Sequence, residues 1–114
     1  MEVQVFGQMT AAPGAATLAL TIPAGYLIDT AKLATGTANN VSNLGYGSGG
    51  DVNVNARFPL VVGYKDADEV YVRDINLVSA SLDAIFDITA TAPMTWAIND
   101  YFTVFFRVPV AGWN

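Results

Sequence analysis

The sequence predicts an all-β domain, an antiparallel β-sandwich of jelly-roll type with seven or eight short strands. Three observations carry this. Apolar and polar residues alternate with period two in stretch after stretch, the pattern of strands with one buried face. Turn-forming residues recur every 8–12 residues or so, the spacing of sandwiches and barrels. No window of about a dozen residues carries capped helical periodicity.

Taken in order, Glu2-Val3-Gln4-Val5-Phe6 alternates, and Thr17-Leu18-Ala19-Leu20-Thr21-Ile22 alternates more cleanly. Pro23-Ala24-Gly25 punctuates the chain before a further strand-like run, Tyr26 to Ala34. There Leu27, Ala31 and Leu33 share one face, and Asp29 interrupts it. Thr35 to Asn43 is polar, and Gly47-Ser48-Gly49-Gly50 is the most permissive stretch, so a long surface loop is expected there. Asp51 to Asn55 alternates again, and Leu60 to Tyr64 is a short apolar run. Lys65-Asp66-Ala67-Asp68-Glu69 reads as a turn into Val70-Tyr71-Val72-Arg73. The alternation slips at Asp74, which predicts a bulge before Ile75 to Val78. Ala84 to Ala90 alternates. Tyr101 to Val108 is aromatic and β-branched with bulk on both faces, which predicts a central or interface strand. Lys32 to Ala38 and Met94 to Asn99 are the only places that admit a turn of helix.

The 114 residues fit one domain, 1–114, with 1–14 as an extended N-terminal arm able to reach a neighbour. Charged residues are 13% of the chain against 53% hydrophobic, where an ordinary soluble domain carries about 25% charged. So sparse a charge suits a surface coated by Thr, Asn and Ser or covered by other protein. With no Cys, disulfides, thiolate nucleophiles and Cys-based metal sites are excluded. With no His, Ser–His and Cys–His nucleophile pairs go too, as does the usual near-neutral base. A net charge of −5, with Lys32, Arg57, Lys65, Arg73 and Arg107 scattered singly, argues against nucleic acid as a partner. No secretory leader and no run of about 18 apolar residues is visible, so no membrane partner and a cytoplasmic site of synthesis are expected.

Chemical motifs fare poorly. Gly45-Tyr46-Gly47-Ser48-Gly49-Gly50 satisfies G-x-G-x-x-G, but a dinucleotide site needs a helix next and Val52 to Phe58 reads as a strand. Asp51-Val52-Asn53-Val54-Asn55 opens like an EF-hand loop, yet Ala56 and Val62 occupy the positions that require Gly and Glu. Asp66, Asp68 and Glu69 admit a metal, though a solvated turn is the commoner use of such a cluster. Asp74, Asp83, Asp87 and Asp100 provide carboxylate pairs of the glycosidase type without a spacing that selects any. Ser48 has no His partner, and a Ser–Lys pair with Lys32 or Lys65 has nothing to recommend it. Asn40-Val41-Ser42 is a glycosylation sequon without a secretory signal. No cofactor and no catalytic residue is therefore expected. Trp96 and Trp113, with Tyr26, Tyr46, Tyr64, Tyr71 and Tyr101, offer either a sugar-stacking platform or ordinary packing.

Leu20-Thr21-Ile22-Pro23-Ala24-Gly25-Tyr26-Leu27-Ile28-Asp29 resembles a phrase of small virion proteins of tailed bacteriophages, in which a strand ends in Ile-Pro-Ala-Gly. The Gly-rich stretch Gly45 to Asp51 is similar to their loop, and Asp68-Glu69-Val70-Tyr71-Val72 followed by an aromatic strand fits their close. The likeness covers 17–51 and 68–108 in short, degenerate motifs. It implies a capsid decoration (cement) protein, located on the virion, binding the major capsid protein across adjacent subunits without catalysis. Closed symmetry is the default for such assemblies, and a homo-oligomer, a trimer on a shell's local three-folds, is expected. The expected contact residues are Phe102, Phe105, Phe106 and Trp113, then Val3, Val5 and Phe6, with core packing the stronger reading for Phe102 and Phe106. Trp113 is equally suited to an interface and to its own core. The rival readings are a carbohydrate-binding fibre or tail module and a small hydrolase.

Overall fold

A computed structural model describes residues 1–14, 17–33, 43–79 and 82–113. The fold is all-β. Its strands are β1 (Glu2–Gln8), β2 (Ala19–Thr21), β3 (Asn43–Asp51), β4 (Ala56–Tyr64), β5 (Glu69–Ser79), β6 (Leu82–Asp87) and β7 (Tyr101–Arg107). They join in one antiparallel sheet ordered β1-β7-β3-β4-β5-β2, with β6 also paired to β5. β2 and β6 pair with successive parts of β5, 69–71 and 73–79, while β4 pairs with 70–74. The separate second sheet of the expected sandwich is not among the described strands.

Irregular chain covers the inner face instead. Ile22, Ile28, Leu33, Ile88 and Trp96 come from between the strands and cluster with the inner-face residues Leu60, Val62, Val70, Val72, Phe102, Val104 and Phe106. The cover is tied to the sheet through main-chain bonds, Ile22 N–H to Asp68 O at 2.8 Å and Ile28 N–H to Ala67 O at 2.7 Å. Trp96 is buried against Phe58, edge to face at 5.6 Å, and its indole N–H donates to Ala92 O at 3.3 Å. The edge-to-face geometry suits the ring quadrupoles, and the bond to Ala92 O satisfies the indole's polar end.

Several expectations need correction. The expected run Tyr26 to Ala34 is not a strand over its described part, Tyr26 to Leu33, and Ala34 lies outside the described residues. Asp29 accepts a bond from Ala31 N–H at 3.2 Å and caps a short 3₁₀ turn, Thr30–Lys32, leaving Leu33 buried and Leu27 exposed. A short side-chain acceptor offers the backbone an alternative to the ladder. The Gly-rich stretch is not a loop but β3 itself, flanked by β7 and β4. Of the expected strand Asp51 to Asn55 only Asp51, the last residue of β3, is extended, and Val52 to Asn55 form a turn. Asp51 Oδ1 accepts from Asn53 N–H at 2.9 Å, and Asn55 has a φ of 53°, a left-handed conformation that Asn tolerates better than most residues. This turn closes the β3–β4 hairpin. At Asp74 the ladder runs without interruption, and the register shift lies between Leu77 and Ser79. Residues 2–8 of the expected arm lie on the chain's own β7, in register from Glu2 opposite Arg107 to Gln8 opposite Tyr101. Met94 to Asn99 forms no helix. The expected turn at Lys65–Glu69 and the strand from Val70 are present, with Val70 and Val72 inward and Tyr71 and Arg73 on the other side.

Candidate functional site: the outer face of the sheet

Why an aromatic strand and a glycine strand lie side by side follows from room on the inner face. Phe102, Val104 and Phe106 of β7 stand opposite Gly49, Gly47 and Gly45 of β3. A Cβ at Gly47 would come 2.7 Å from Val104 Cγ1, and one at Gly49 would collide with the Phe58 ring. A Cβ at Gly45 would fall 2.6 Å from the Phe106 Cα. The glycines thus let β3 approach β7 and leave volume for large neighbours.

The same alternation sends Tyr101, Thr103, Phe105 and Arg107 outward. Across the outer face one rung reads Gln4, Phe105, Tyr46, Val61, Arg73 and Asp87 in consecutive strands. The next reads Phe6, Thr103, Ser48 and Pro59. Phe6 is 67% exposed, Tyr46 65% and Phe105 42%. Phe6 stacks on Tyr101 at 6.3 Å with the planes 25° apart, and Tyr101 covers Gly50. Arg107 lies 5.9 Å from the Phe105 ring and pairs with Glu2 at 3.1 Å. Farther along, Arg73 sits 4.1 Å over Tyr71 and binds Asp87 at 2.8 Å. Over β1, β7 and β3 the surface is aromatic, and its charges are the mutually paired Glu2 and Arg107.

The expected contact residues therefore divide. Phe6 and Phe105 lie on this outer face. Val3 and Val5 point to the inner side and pack half-buried at the rim of the core. Phe102 and Phe106 are buried in that core and are withdrawn as contact residues. Trp113 is 61% exposed and meets Tyr26 edge to face at 6.1 Å, while its carbonyl accepts from Lys32 Nζ at 2.5 Å. It lies on a separate patch. Tyr46 was readable only as one aromatic among several, because its outward direction depends on the glycine stretch being a strand.

Candidate chemical groups do not converge. Among the described residues no three Asp or Glu side chains are placed to hold a metal. Asp66 turns Oδ1 to the N–H groups of Asp68 and Glu69, at 3.3 and 3.1 Å, and Glu69 binds Lys65. Burial would push the Asp66 carboxyl up, but those N–H bonds and the Lys65 charge outweigh it and hold it below the ordinary 3.8. The bond to Glu69 raises the Lys65 ammonium above 10.5. Asp100 is buried as a structural acceptor, taking Ala97 N–H at 2.7 Å and Val52 N–H at 3.0 Å. Asp74 is buried on the inner face opposite Leu60 and Phe86. Ser48 lies mid-strand on the outer face. The G-x-G-x-x-G stretch has a strand on each side and no helix to receive a phosphate. The Asp83 side chain and the Asn40-Val41-Ser42 sequon lie outside the described residues.

No protein-family model, curated protein or solved structure matches this chain.

Proposed function

We propose that this chain is a non-enzymatic structural protein of a phage virion that decorates and stabilises the capsid by binding across adjacent capsid subunits. The observation that carries the reading is the uncovered aromatic face of β1, β7 and β3, with Phe6, Tyr46 and Phe105 all exposed. Contiguous apolar surface of this kind belongs to interaction sites. Its rings spread over three neighbouring strands and its one ion pair, Glu2 with Arg107, is balanced, which suits another protein surface better than a small molecule. The phage phrase at Leu20 to Asp29 supplies the class of partner. A protein that binds only the assembled shell stabilises that state by mass action, and no bond need be made or broken.

A second reading draws on the same face. Adjacent Tyr46 and Phe105 beside Gln4 and Arg107 offer ring faces and polar groups to a polysaccharide, as in a fibre module. Copy number in purified virions separates the two. Hundreds of copies, near stoichiometric with capsid subunits, supports decoration; a handful supports the fibre, and none overturns both virion readings. With purified chain and emptied capsids, the combined Phe6→Ser, Tyr46→Ser and Phe105→Ser variant should lose binding at least about tenfold, since aromatic residues dominate such interfaces. Its melting temperature should stay close to the parent's, because all three rings point away from the core.

A further inference from the structure

At one border of the sheet, β1 turns an unprotected edge outward. Its ladder runs to β7 alone, and among the described residues nothing pairs with its other side. Met1 and Val108 exchange both main-chain bonds, Met1 N to Val108 O at 2.7 Å and Val108 N to Met1 O at 2.9 Å. Narrow pairs alternate in an antiparallel ladder, so odd residues of β1 bond to β7. The N–H and C=O groups of Glu2, Gln4, Phe6 and Gln8 consequently point away from the sheet. Exposed edges are ordinarily blunted by Lys, Pro, a bulge or shortness. β1 has seven residues, no Lys, no Pro, no register shift, and a single charge at one end.

We infer that this edge pairs antiparallel with β1 of a second copy, about a two-fold axis at Val5, to give a dimer with one continuous sheet. The sequence Glu2-Val3-Gln4-Val5-Phe6-Gly7-Gln8 is complementary to itself in that register. Val5 meets Val5, Gln4 meets Phe6, Val3 meets Gly7 and Glu2 meets Gln8, so no like charges oppose each other and each face meets its own kind. The outward main-chain groups of the even residues fall opposite one another and form up to about eight hydrogen bonds. Phe6 of the second copy then continues the rung of Tyr46, Phe105 and Gln4, and two aromatic faces merge into one. The axis is two-fold, in place of the three-fold expected from shell symmetry. This pairing does not depend on the virion reading, because a dimer forms in solution whether or not a capsid is bound.

The test is made on the full chain. Sedimentation velocity from about 1 to about 500 µM should show a reversible monomer–dimer equilibrium, the range expected of a small interface. At the axis, Val5 opposes Val5 as a non-hydrogen-bonded pair with Cα atoms about 4.5 Å apart, within disulfide reach. The chain has no cysteine of its own. Val5→Cys should therefore give a disulfide-linked dimer under mild oxidation, while Gln8→Cys, far from the axis, should not. Gln8→Lys places a cation against the partner's Glu2 and should tighten the dimer several-fold; Gln8→Glu should weaken it by a similar factor, with both effects fading in high salt. Gln4→Pro removes an N–H that β7 does not use and should abolish the dimer without unfolding the chain. If that variant misfolds, the Gln8 pair decides. A parent that remains monomeric, a trimer, or a dimer indifferent to the Gln8 charge would overturn the pairing.

Discussion

Where β3 crosses β7, a single methyl group decides whether two strands can lie together. A Cβ at Gly47 would fall 2.7 Å from Val104 Cγ1 and still closer to the Thr103 carbonyl oxygen. Neither a main-chain carbonyl nor a packed valine can retreat cheaply. Gly47→Val should therefore cost about 2 kcal/mol or more, lowering the melting temperature by roughly 8 °C or more. Differential scanning calorimetry checks this. Gly14, which has nothing within 4 Å of a Cβ, is the control: Gly14→Ala should change the melting temperature little. Asp100 acts at the same scale through hydrogen bonds. It is buried and holds both Ala97 N–H and Val52 N–H. Asp100→Ala leaves two donors without their acceptor and should cost about 2–3 kcal/mol, read from urea midpoints.

Among the elements, the β4–β5 hairpin is organised by Asp66, whose carboxylate receives the N–H groups of Asp68 and Glu69. Its pKa lies below the unfolded value of 3.8. The carboxylate's contribution is thus complete above that value and disappears as pH falls through the lower, folded one. Lys65, raised above 10.5 by Glu69, behaves inversely: its contribution holds below that value and fades as pH rises past it. Amide hydrogen exchange at Asp68 and Glu69, corrected for the intrinsic rate, should accelerate in strong acid and be unaffected between pH 5 and 9. Asp66→Asn should show the faster exchange already at neutral pH, with the β1–β7 ladder unchanged. The charged knot was legible as a turn because short acidic side chains cap their own backbone. The β3–β4 turn was not, since Val52 and Val54 imitate the alternation of a strand and both are exposed.

In the whole molecule, the strand order brings Met1–Gln8 beside Tyr101–Arg107, so the two ends of the chain share one ladder. The core is continuous from Phe106 and Val104 across Leu60 and Val62 to Val70 and Val72, and it carries Trp96 with it. A core so connected unfolds as a unit. Thermal unfolding followed by far-ultraviolet circular dichroism and by Trp96 fluorescence, in a Trp113→Phe background, should give coincident midpoints. Covering one face and leaving the other bare also produces the exposed aromatic surface proposed above as the binding face. Phe6, Tyr46 and Phe105 point outward because Val5, Gly45, Gly47, Val104 and Phe106 must point in.

The sequence by itself determined the β class, the aromatic centre strand β7, the inward set Val70 and Val72, and the acidic turn. Each of these rests on side chains that repeat or cap locally, within a few residues. It also singled out Phe6 and Phe105, both of them exposed, though not their common face. Tertiary structure alone decided that the glycine stretch is a central strand, that Tyr46 joins Phe6 and Phe105, and that β1 forms a border. A glycine has no side chain with which to declare its face or its partner. Its place in β3 is set by the bulk of Phe58, Val104 and Phe106, which arrive from strands distant in the chain.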